Sequence, residues 1–371
     1  MKIKDKIIVM LIYTVMCGVV GSFGGYAINS LLPEGTSTGQ FLFALSIVLM
    51  VFYGALILHI FVHETGHMIC GLISGYGFSS IRFFNLMFVK LDGKICIKKH
   101  SIANTAGQCL MTPPKTDGTS PVRLYNWGGC LANVLLSGIA FIAAFFCQNV
   151  IALQTILFIV GVTGICMALI NGIPLKTLSN DGYNAMTLQN RLHARKAFER
   201  SLLIVKETAD GNRLKDMPAE WFDYEIGKYE LNDNMLITMA ILTLNYHMDC
   251  KNFDKGYELS KYLLEKISLI DVHKMIVISE MISCILVTDR DNAEIDKLLT
   301  DANKKLMNIH KAQPSVHRVW YAYELLYNRN EEKSLEHKKN FEKIAAKYPY
   351  PADIASDREF MKLVLQKYNK G

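Results

Sequence analysis

Several features that would point to other protein classes are missing from this 371-residue sequence. Only 20% of its residues are charged, and the net charge of +6 is modest. We therefore expect no nucleic-acid partner, because basic loops on the inner side of a membrane account for such a charge. The nine cysteines include no pair at C-x-x-C spacing, and their number is odd. These facts argue against a zinc knuckle, a redox motif and a disulfide framework.

The apolar residues are distributed unevenly, although they make up 51% of the chain. Long apolar runs dominate as far as about Leu188, whereas the remainder is polar and charged with regularly spaced apolar residues. This shift predicts a boundary between a transmembrane domain over residues 1–190 and a second domain over residues 191–371. The predicted fold class is mainly α, with a polytopic transmembrane helical domain followed by a cytosolic α-helical repeat domain.

Four apolar stretches approach the length needed to cross a bilayer, which is about 20 residues in a helix. The predicted spans are 7–28, 41–62, 124–147 and 151–170. A secretory signal is an alternative for the first of them, since basic residues precede its apolar stretch. We expect a membrane anchor instead, because the apolar stretch is longer than is usual in a signal peptide.

Basic residues are absent from alternate loops, and this absence predicts the orientation of the chain. Residues 29–40 and 148–150 contain no Lys or Arg. Lysines precede the first span, and basic residues follow both the second and the fourth spans. Because cytoplasmic loops carry the excess of Lys and Arg, we predict a multi-pass protein of the cell membrane with both termini in the cytoplasm.

The second predicted span leads into residues 63–67, which read His-Glu-Thr-Gly-His. Histidines at i and i+4 lie on one face of a helix, so His63 and His67 can bind a single Zn²⁺ with Glu64 beside it as general base. Two histidines satisfied by local hydrogen bonds are the alternative. We favour the metal site, because ionisable groups at the end of an apolar helix are costly and usually functional. His59 lies one turn earlier, too far along the axis for easy ligation of the same ion.

A catalytic zinc usually has three protein ligands, and two Asp-Gly pairs compete to supply the third. Asp92 lies between alternating residues typical of a β-hairpin and is adequately explained as a turn residue. Asp181 follows the fourth predicted span. The predicted topology places the end of that span on the same side of the membrane as His63 and His67, so Asp181 is the better candidate.

These segments resemble the site-2 protease family of intramembrane zinc metalloproteases. That family has an H-E-x-x-H helix, a later span with small residues and an asparagine, and an N-x-x-P segment followed by Asp-Gly. The matching segments of this chain are 63–67, Gly128 to Asn133, Asn171 to Pro174 and Asn180 to Gly182. The resemblance covers about 40% of the chain, roughly from Phe41 to Leu188.

The resemblance implies the residues of a protease site. It implies zinc ligation by His63, His67 and Asp181, catalysis by Glu64, and substrate binding or stabilisation near Asn133 and Asn171. It also implies a small β element, from about residue 79 to 98, that presents an extended substrate by strand addition. The implied activity is hydrolysis of peptide bonds in or near transmembrane segments of membrane proteins or in signal-peptide remnants. A catalytically inactive membrane scaffold that binds a partner through cytosolic repeats is the alternative.

The second half of the chain has apolar residues at helical spacing, separated by short polar breaks. The predicted helices are 235–248, 253–266, 272–287, 293–307, 316–327 and 334–347. Paired helices of this size predict a tetratricopeptide-like repeat domain, although no strict period aligns. Such a domain would suit a cytosolic protein or peptide partner.

Overall fold

The computed structural model describes residues 3–32, 35, 37–103, 105–176, 179–288 and 290–370. This part of the chain is mainly helical and contains a small antiparallel sheet. It divides into two compact units. The first comprises Met1–Phe83, Gly107–Met111 and Pro121–Arg191, and the second comprises Phe84–Ala106, Thr112–Ser120 and Leu192–Gly371.

The first unit contains five α-helices and two strands within the described residues. In chain order they are α1 (Ile3–Leu31), α2 (Thr38–Ile73), β1 (Gly77–Phe83), β4 (Gly107–Thr112), α3 (Val122–Phe146), α4 (Ile151–Gly172) and α5 (Asp181–Thr187). Strands β1 and β4 are neighbours in the sheet, and β4 is an edge strand.

Three of these helices, α2, α3 and α4, are long and apolar enough to cross a membrane, judged by length and composition. They cover the second, third and fourth predicted spans, which are confirmed as apolar helices of sufficient length. The first predicted span lies inside the continuous helix α1, which is not one of the three. The number of crossings and the side on which the termini lie stay predictions.

Helix α2 extends well past the predicted end of its span at residue 62. It begins after Ser37, which exchanges hydrogen bonds with Gln40 in a capping box. It ends at Ile73, just before Gly75 takes a φ of 84° that favours glycine. The His-Glu-Thr-Gly-His segment therefore lies within an unbroken helix, where His63 and His67 are one turn apart on the same face.

Two glycines allow α2 and α3 to pack backbone against backbone beside that segment. A Cβ atom on Gly128 would lie 2.5 Å from the carbonyl oxygen of Gly66 and 2.8 Å from Cβ of Cys70. A Cβ atom on Gly66 would likewise collide with the carbonyl of Gly128. Small residues permit this close approach between apolar helices, and it brings α3 next to the face that carries His63 and His67.

The β element of the second unit is a hairpin of β2 (Leu86–Leu91) and β3 (Lys94–Lys99). The strands pair antiparallel, from Leu86 opposite Lys99 to Leu91 opposite Lys94. Asp92 and Gly93 form the two-residue turn with φ values of 46° and 78°, as a type I′ turn requires. The predicted strands correspond to β1, β2 and β3, whereas β4 was not predicted.

The helices of the second unit surround one hydrophobic core that includes Ile204, Leu244, Val277 and Phe341. Several helices that follow one another in sequence pack together, as in the pairs α6–α7, α7–α8, α8–α9 and α12–α13. Their bounds are α6 (Leu192–Ala209), α7 (Asn234–Asp249), α8 (Phe253–Lys266), α9 (Asp271–Val287), α10 (Ala293–Leu298), α11 (Asp301–Ile309), α12 (Pro314–Leu326), α13 (Glu331–Ala345) and α14 (Pro351–Tyr368).

Two differences from the predicted helices have local causes. The predicted helix over residues 293–307 is two helices, because the Thr300 hydroxyl accepts a hydrogen bond from the backbone N–H of Asn303 and caps a new helix there. The final helix, α14, was not predicted, and it begins with Pro351 at its first position, where proline is favoured.

Candidate functional site

Three side chains of the first unit converge on one point. The Nε2 atoms of His63 and His67 are 3.1 Å apart. Oδ2 of Asp181 lies 3.0 Å from Nε2 of His63 and 3.4 Å from Nε2 of His67. The two imidazole rings are nearly perpendicular, at 85°. The three atoms therefore form a small triangle, with two histidines from α2 and one carboxylate from the start of α5.

The dimensions of this triangle fit a tetrahedral metal ion. Zn²⁺ binds imidazole nitrogen and carboxylate oxygen at about 2.0 Å, so two ligand atoms of a tetrahedral site lie about 3.3 Å apart. The observed separations of 3.0 to 3.4 Å bracket that value. Within the described residues, this is the one group of three His, Cys, Asp or Glu side chains close enough to hold a metal ion.

The second ring nitrogen of His67 fixes which nitrogen is available to a metal. Nδ1 of His67 donates a hydrogen bond to the carbonyl oxygen of Tyr125 at 2.8 Å. A carbonyl can only accept, so Nδ1 carries the proton and Nε2 of the neutral ring keeps its lone pair. The backbone of α3 thus orients one of the two histidines toward Asp181.

The tautomer of His63 follows from a buried chain of hydrogen bonds. Nε2 of His59 donates to the carbonyl oxygen of Val160 at 2.9 Å, so Nδ1 of a neutral His59 must accept. The Asn133 amide lies between Nδ1 of His59 and Nδ1 of His63, at 3.2 Å from each. A charged His59 would be costly, because the residue is fully buried. As placed, the Asn133 oxygen faces His59 and its NH₂ group faces His63. Because that orientation would require a charged His59, we assign the reversed amide, in which the NH₂ group donates to His59 and the oxygen accepts from Nδ1–H of His63. This leaves the lone pair of His63 Nε2 free, as ligation requires.

Asp181 reaches the two histidines because Asn180 fastens the start of α5 to the end of α4. The amide of Asn180 donates to the carbonyl oxygens of Ile170 and Ile173, both at 2.7 Å. Its side-chain oxygen accepts from the backbone N–H of Tyr183 at 3.2 Å and so caps α5. Gly182 is pressed against the backbone of Gly172, where a Cβ would collide. In the Asn-Asp-Gly segment, Asn180 and Gly182 therefore hold α5 against α4, and Asp181 supplies the carboxylate.

The carboxylate oxygen of Asp181 lies within 3.4 Å of Nε2 of both histidines. A carboxylate and two imidazole nitrogens therefore face the same point, which is a donor set suited to a divalent transition metal.

Glu64 lies beside this group in a pocket that leaves its carboxylate little room. The residue is 8% exposed and close enough to His63, His67 and Asp181 to interact with them electrostatically. A Cβ atom on Gly107, at the start of β4, would lie 2.7 Å from Cγ of Glu64. Glycine at that position is therefore what allows strand β4 to approach the carboxylate.

The remaining candidates lie elsewhere or have other partners. Asn171 donates to the carbonyl oxygen of Met167 at 3.0 Å, one turn earlier in its own helix. Asp92 lies in the hairpin turn of the second unit. The roles of Tyr125 and Gly107 could not be predicted from the sequence, because a backbone carbonyl and a missing side chain leave no motif. Comparison with known proteins adds no assignment: no family model, curated protein or solved structure matches this chain.

Proposed function

We propose that the first unit is an intramembrane zinc metalloendopeptidase that cleaves peptide bonds in or near membrane-spanning segments or signal-peptide remnants. One observation carries the proposal: His63, His67 and Asp181 converge at the distances of a tetrahedral zinc site. In the assigned tautomers both histidines carry their ring proton on Nδ1, which has a partner elsewhere, and Glu64 stands beside the group. This arrangement is the one expected of a catalytic zinc site with three protein ligands and an open position.

In the proposed reaction the metal supplies Lewis-acid polarisation and a lowered pKa of bound water, as is usual for Zn²⁺. Glu64 accepts a proton from the attacking water and delivers it to the nitrogen of the departing amine. Asn133 and the carbonyl of Tyr125 hold His63 and His67 in the productive tautomer. Asn180 keeps Asp181 in place by tying α5 to α4.

A peptide bond inside a helix is protected by the helix's own hydrogen bonds, so the substrate must unwind before attack. Strand β4 could hold the unwound segment, since it is an edge strand of the sheet and begins at Gly107, next to Glu64. An extended peptide that paired with β4 would bring one of its carbonyls near Glu64. The proposed substrate is therefore a membrane-spanning peptide that can become extended near one end.

The proposal includes the arrangement in the membrane and the nature of the second unit. Three apolar helices and the distribution of Lys and Arg support a multi-pass protein with both termini in the cytoplasm. The helices from α6 to α14 would then form a cytosolic, tetratricopeptide-like domain. Contacts between helices adjacent in sequence support a repeat architecture of this kind.

The test uses the full chain purified in detergent and a set of synthetic single-span peptides labelled at both ends. We expect the wild type to contain about one zinc per chain and to cleave some of these peptides close to one end of the apolar segment. Glu64→Gln should retain the zinc and lose about 10²–10⁴-fold in rate, since the base is removed without touching a ligand. Mass spectrometry of the products and metal analysis provide the two readouts.

The alternative function, a scaffold without chemistry, predicts a different result. A scaffold would purify without stoichiometric zinc and would leave every peptide intact, and Glu64→Gln would behave like the wild type. That combination of results would contradict the protease proposal.

A further inference from the structure

A cavity of about 260 Å³ lies inside the second unit. It is bounded by α7, α9, α12 and α14, with His100 from the segment after β3 at its edge. Pockets for drug-sized ligands are usually 300 to 1,000 Å³, so this one suits a smaller group. The catalytic proposal for the first unit does not use it.

The side chains around the cavity carry more negative than positive charge. Three carboxylates, Glu280, Asp353 and Asp357, line it together with one guanidinium, Arg318. Arg318 donates to Glu280 at 2.6 Å and lies 3.2 Å from Asp357, so its charge is already shared by two anions. A fourth lining carboxylate, Asp249, is paired with Arg213. The three carboxylates of the first group and Arg318 therefore have a net charge of −2 when all are ionised.

Three buried polar atoms at the cavity have no hydrogen-bond partner: two acceptors and one donor, Nε of Arg318, which is paired only electrostatically with Asp357. Oε2 of Glu280 and Oδ1 of Asn245 are buried and accept no hydrogen bond. Glu280 is 5% exposed, so solvent does not supply the missing donor freely. Asp353 lines the same cavity, close enough to Asp357 and Asp249 to be affected by their charges. A ligand that donates hydrogen bonds and carries positive charge would complement this lining.

The pKa values of Asp353 and Asp357 agree with the shortage of positive charge around the cavity. Burial and the neighbouring carboxylates raise the pKa of Asp353 to about 7, and they raise the pKa of Asp357 to about 7 despite the opposing effect of Arg318. Asp353 and Asp357 are one turn apart on α14, where like charges repel each other.

The spacing of the acidic groups favours an organic cation over a metal ion. Within the described residues, only His63, His67 and Asp181 bring three ligand atoms within 4.8 Å of one another, so the carboxylates of this cavity do not form such a group. One wall is apolar, with Val272, Met275 and Ile276 from α9. That wall would accommodate an alkyl stem, as the long stems of Lys and Arg pack on apolar surface.

We propose that this cavity binds an ammonium or guanidinium group carried on a short alkyl chain. The side chain of a Lys or Arg residue in a partner peptide has this chemistry, and so does a free diamine. The cationic head lies against the acidic lining of the cavity, and the stem lies along the apolar wall of α9. The proposal does not depend on the proposed protease activity, because it concerns the second unit alone.

A simpler explanation exists for one of the acidic residues. Asp353 lies in the first turn of α14, where a carboxylate stabilises the helix dipole. That role does not account for Glu280 or Asn245, which lie within α9 and α7. The test must therefore measure ligand binding as well as stability.

The experiment is calorimetric titration of the full chain in detergent with three cationic probes and one neutral probe. The cations are 1,5-diaminopentane, N-acetyl-lysine methylamide and N-acetyl-arginine methylamide. The neutral probe is N-acetyl-norleucine methylamide, which has the stem without the charge. We expect at least one cation to bind at least about tenfold more tightly than the neutral probe, a difference of about 1.4 kcal/mol. Tighter binding of the amino-acid probes indicates a peptide ligand, and tighter binding of diaminopentane indicates a free amine.

Variants locate the binding site. Asp353→Asn should weaken cation binding at least about tenfold, whereas Glu258→Gln, which alters an exposed acidic residue of α8 outside the cavity, should not. Ser356→Leu fills part of the cavity without changing its charge and should also block binding. It serves as the test if Asp353→Asn fails to fold. Failure of every cation to bind the wild type at millimolar concentration, or equal affinity for the neutral probe, would overturn the proposal.

Discussion

Nε2 of His63 lies 3.0 Å from Oδ2 of Asp181, although 118 residues separate the two in sequence. The contact depends on two independent anchors. Asn133 holds the ring of His63 from the far side, and Asn180 holds the start of the helix that carries Asp181. The side chains of Asn133 and Asn180 do not reach the point where the three donor atoms meet. Both residues therefore position the ligands.

Removal of one of the three converging side chains should abolish zinc binding. In detergent-purified protein, we expect His67→Ala and Asp181→Ala to lose the metal, because two protein ligands hold Zn²⁺ poorly. Asp92→Ala is the matched control, since Asp92 lies in the hairpin turn of the other unit. Plasma emission analysis measures the zinc in each variant. Loss of zinc from Asp92→Ala but not from Asp181→Ala would contradict the assignment of the third ligand.

Substitution of Asn133 tests the orientation of its amide. Asn133→Leu should weaken zinc binding about 10–100-fold, because Nδ1–H of His63 loses its acceptor. Asn133→Asp keeps an oxygen toward His63 and should retain most of the affinity. If the NH₂ group instead faced His63, Nε2 would carry the ring proton, so neither variant would lower the zinc affinity. Competition with a coloured chelator gives the zinc affinity, and Ser137→Ala, one turn along α3, serves as the control for a buried polar change.

The sequence allowed part of this site to be predicted. The i, i+4 spacing of His63 and His67 and their position after an apolar run were sufficient for the proposed ligand pair, because both facts are local. The preference for Asp181 over Asp92 depended on membrane topology, and the structure places Asp181 beside both histidines. The link from Asn133 to His59 could not be predicted, since it depends on how α2, α3 and α4 pack.

The same distinction applies to the fold. The long apolar helices and the hairpin turn at Asp92 follow from composition and turn chemistry. The break at Thr300 was missed because a single capping hydroxyl has little weight against an apolar pattern that continues through it. Strand β4 depends on pairing with β1, a partner distant in sequence, so its own residues gave little indication of it.

Gly107→Ala should separate catalysis from metal binding. The added methyl group would occupy the space of the Glu64 side chain, whose Cγ would be 2.7 Å away. We expect Glu64 to be displaced and the cleavage rate to fall about 100-fold, while zinc content stays that of the wild type. Gly138→Ala, at a glycine with nothing within 4 Å of the added atom, should leave both unchanged. Cleavage of the labelled peptides at the normal rate by Gly107→Ala would argue against Glu64 as the base.

Arg318 should contribute far more to the stability of the second unit than an exposed arginine does. It is buried, paired with Glu280 and close to Asp357, and its guanidinium lies 4.9 Å from the ring centre of Phe360. Arg318→Ala would leave buried carboxylates uncompensated, so we expect a loss of about 3–5 kcal/mol in the free energy of unfolding.

The control for that measurement is Arg358→Ala, which removes the partner of Glu342 on the surface. Exposed ion pairs are worth about 0–1 kcal/mol, so this loss should be small. Denaturant titration of the full chain in detergent compares the two variants. Equal losses of free energy of unfolding in the two variants would mean that the buried pair contributes no more to stability than the exposed one.

The pH dependence of stability should reveal the excess of carboxylates at the cavity. The pKa of Asp353 rises from 3.8 to about 7 on folding, because of burial and the nearby Asp357 and Asp249. Between pH about 4 and about 7 the folded chain therefore binds more protons than the unfolded chain, so the contribution of Asp353 to stability decreases as pH rises through that window. Arg318 does not reverse the sign, since its charge is already shared by Glu280 and Asp357.

Asp353→Asn removes the titrating group and should flatten this dependence. We expect the variant to unfold at a higher temperature than the wild type at pH 8, with the difference vanishing below pH 4, where Asp353 is protonated in both states of the wild type. The loss of a charge at the start of α14 acts in the opposite direction and is independent of burial. Thermal unfolding of both proteins across this pH range shows which of the two effects is larger. A variant less stable than the wild type at pH 8 would show that the helix dipole outweighs the desolvation of Asp353.

The 1,5-diaminopentane probe should raise the unfolding temperature of the wild type most at pH 8, because the carboxylates are then ionised and attract the cation.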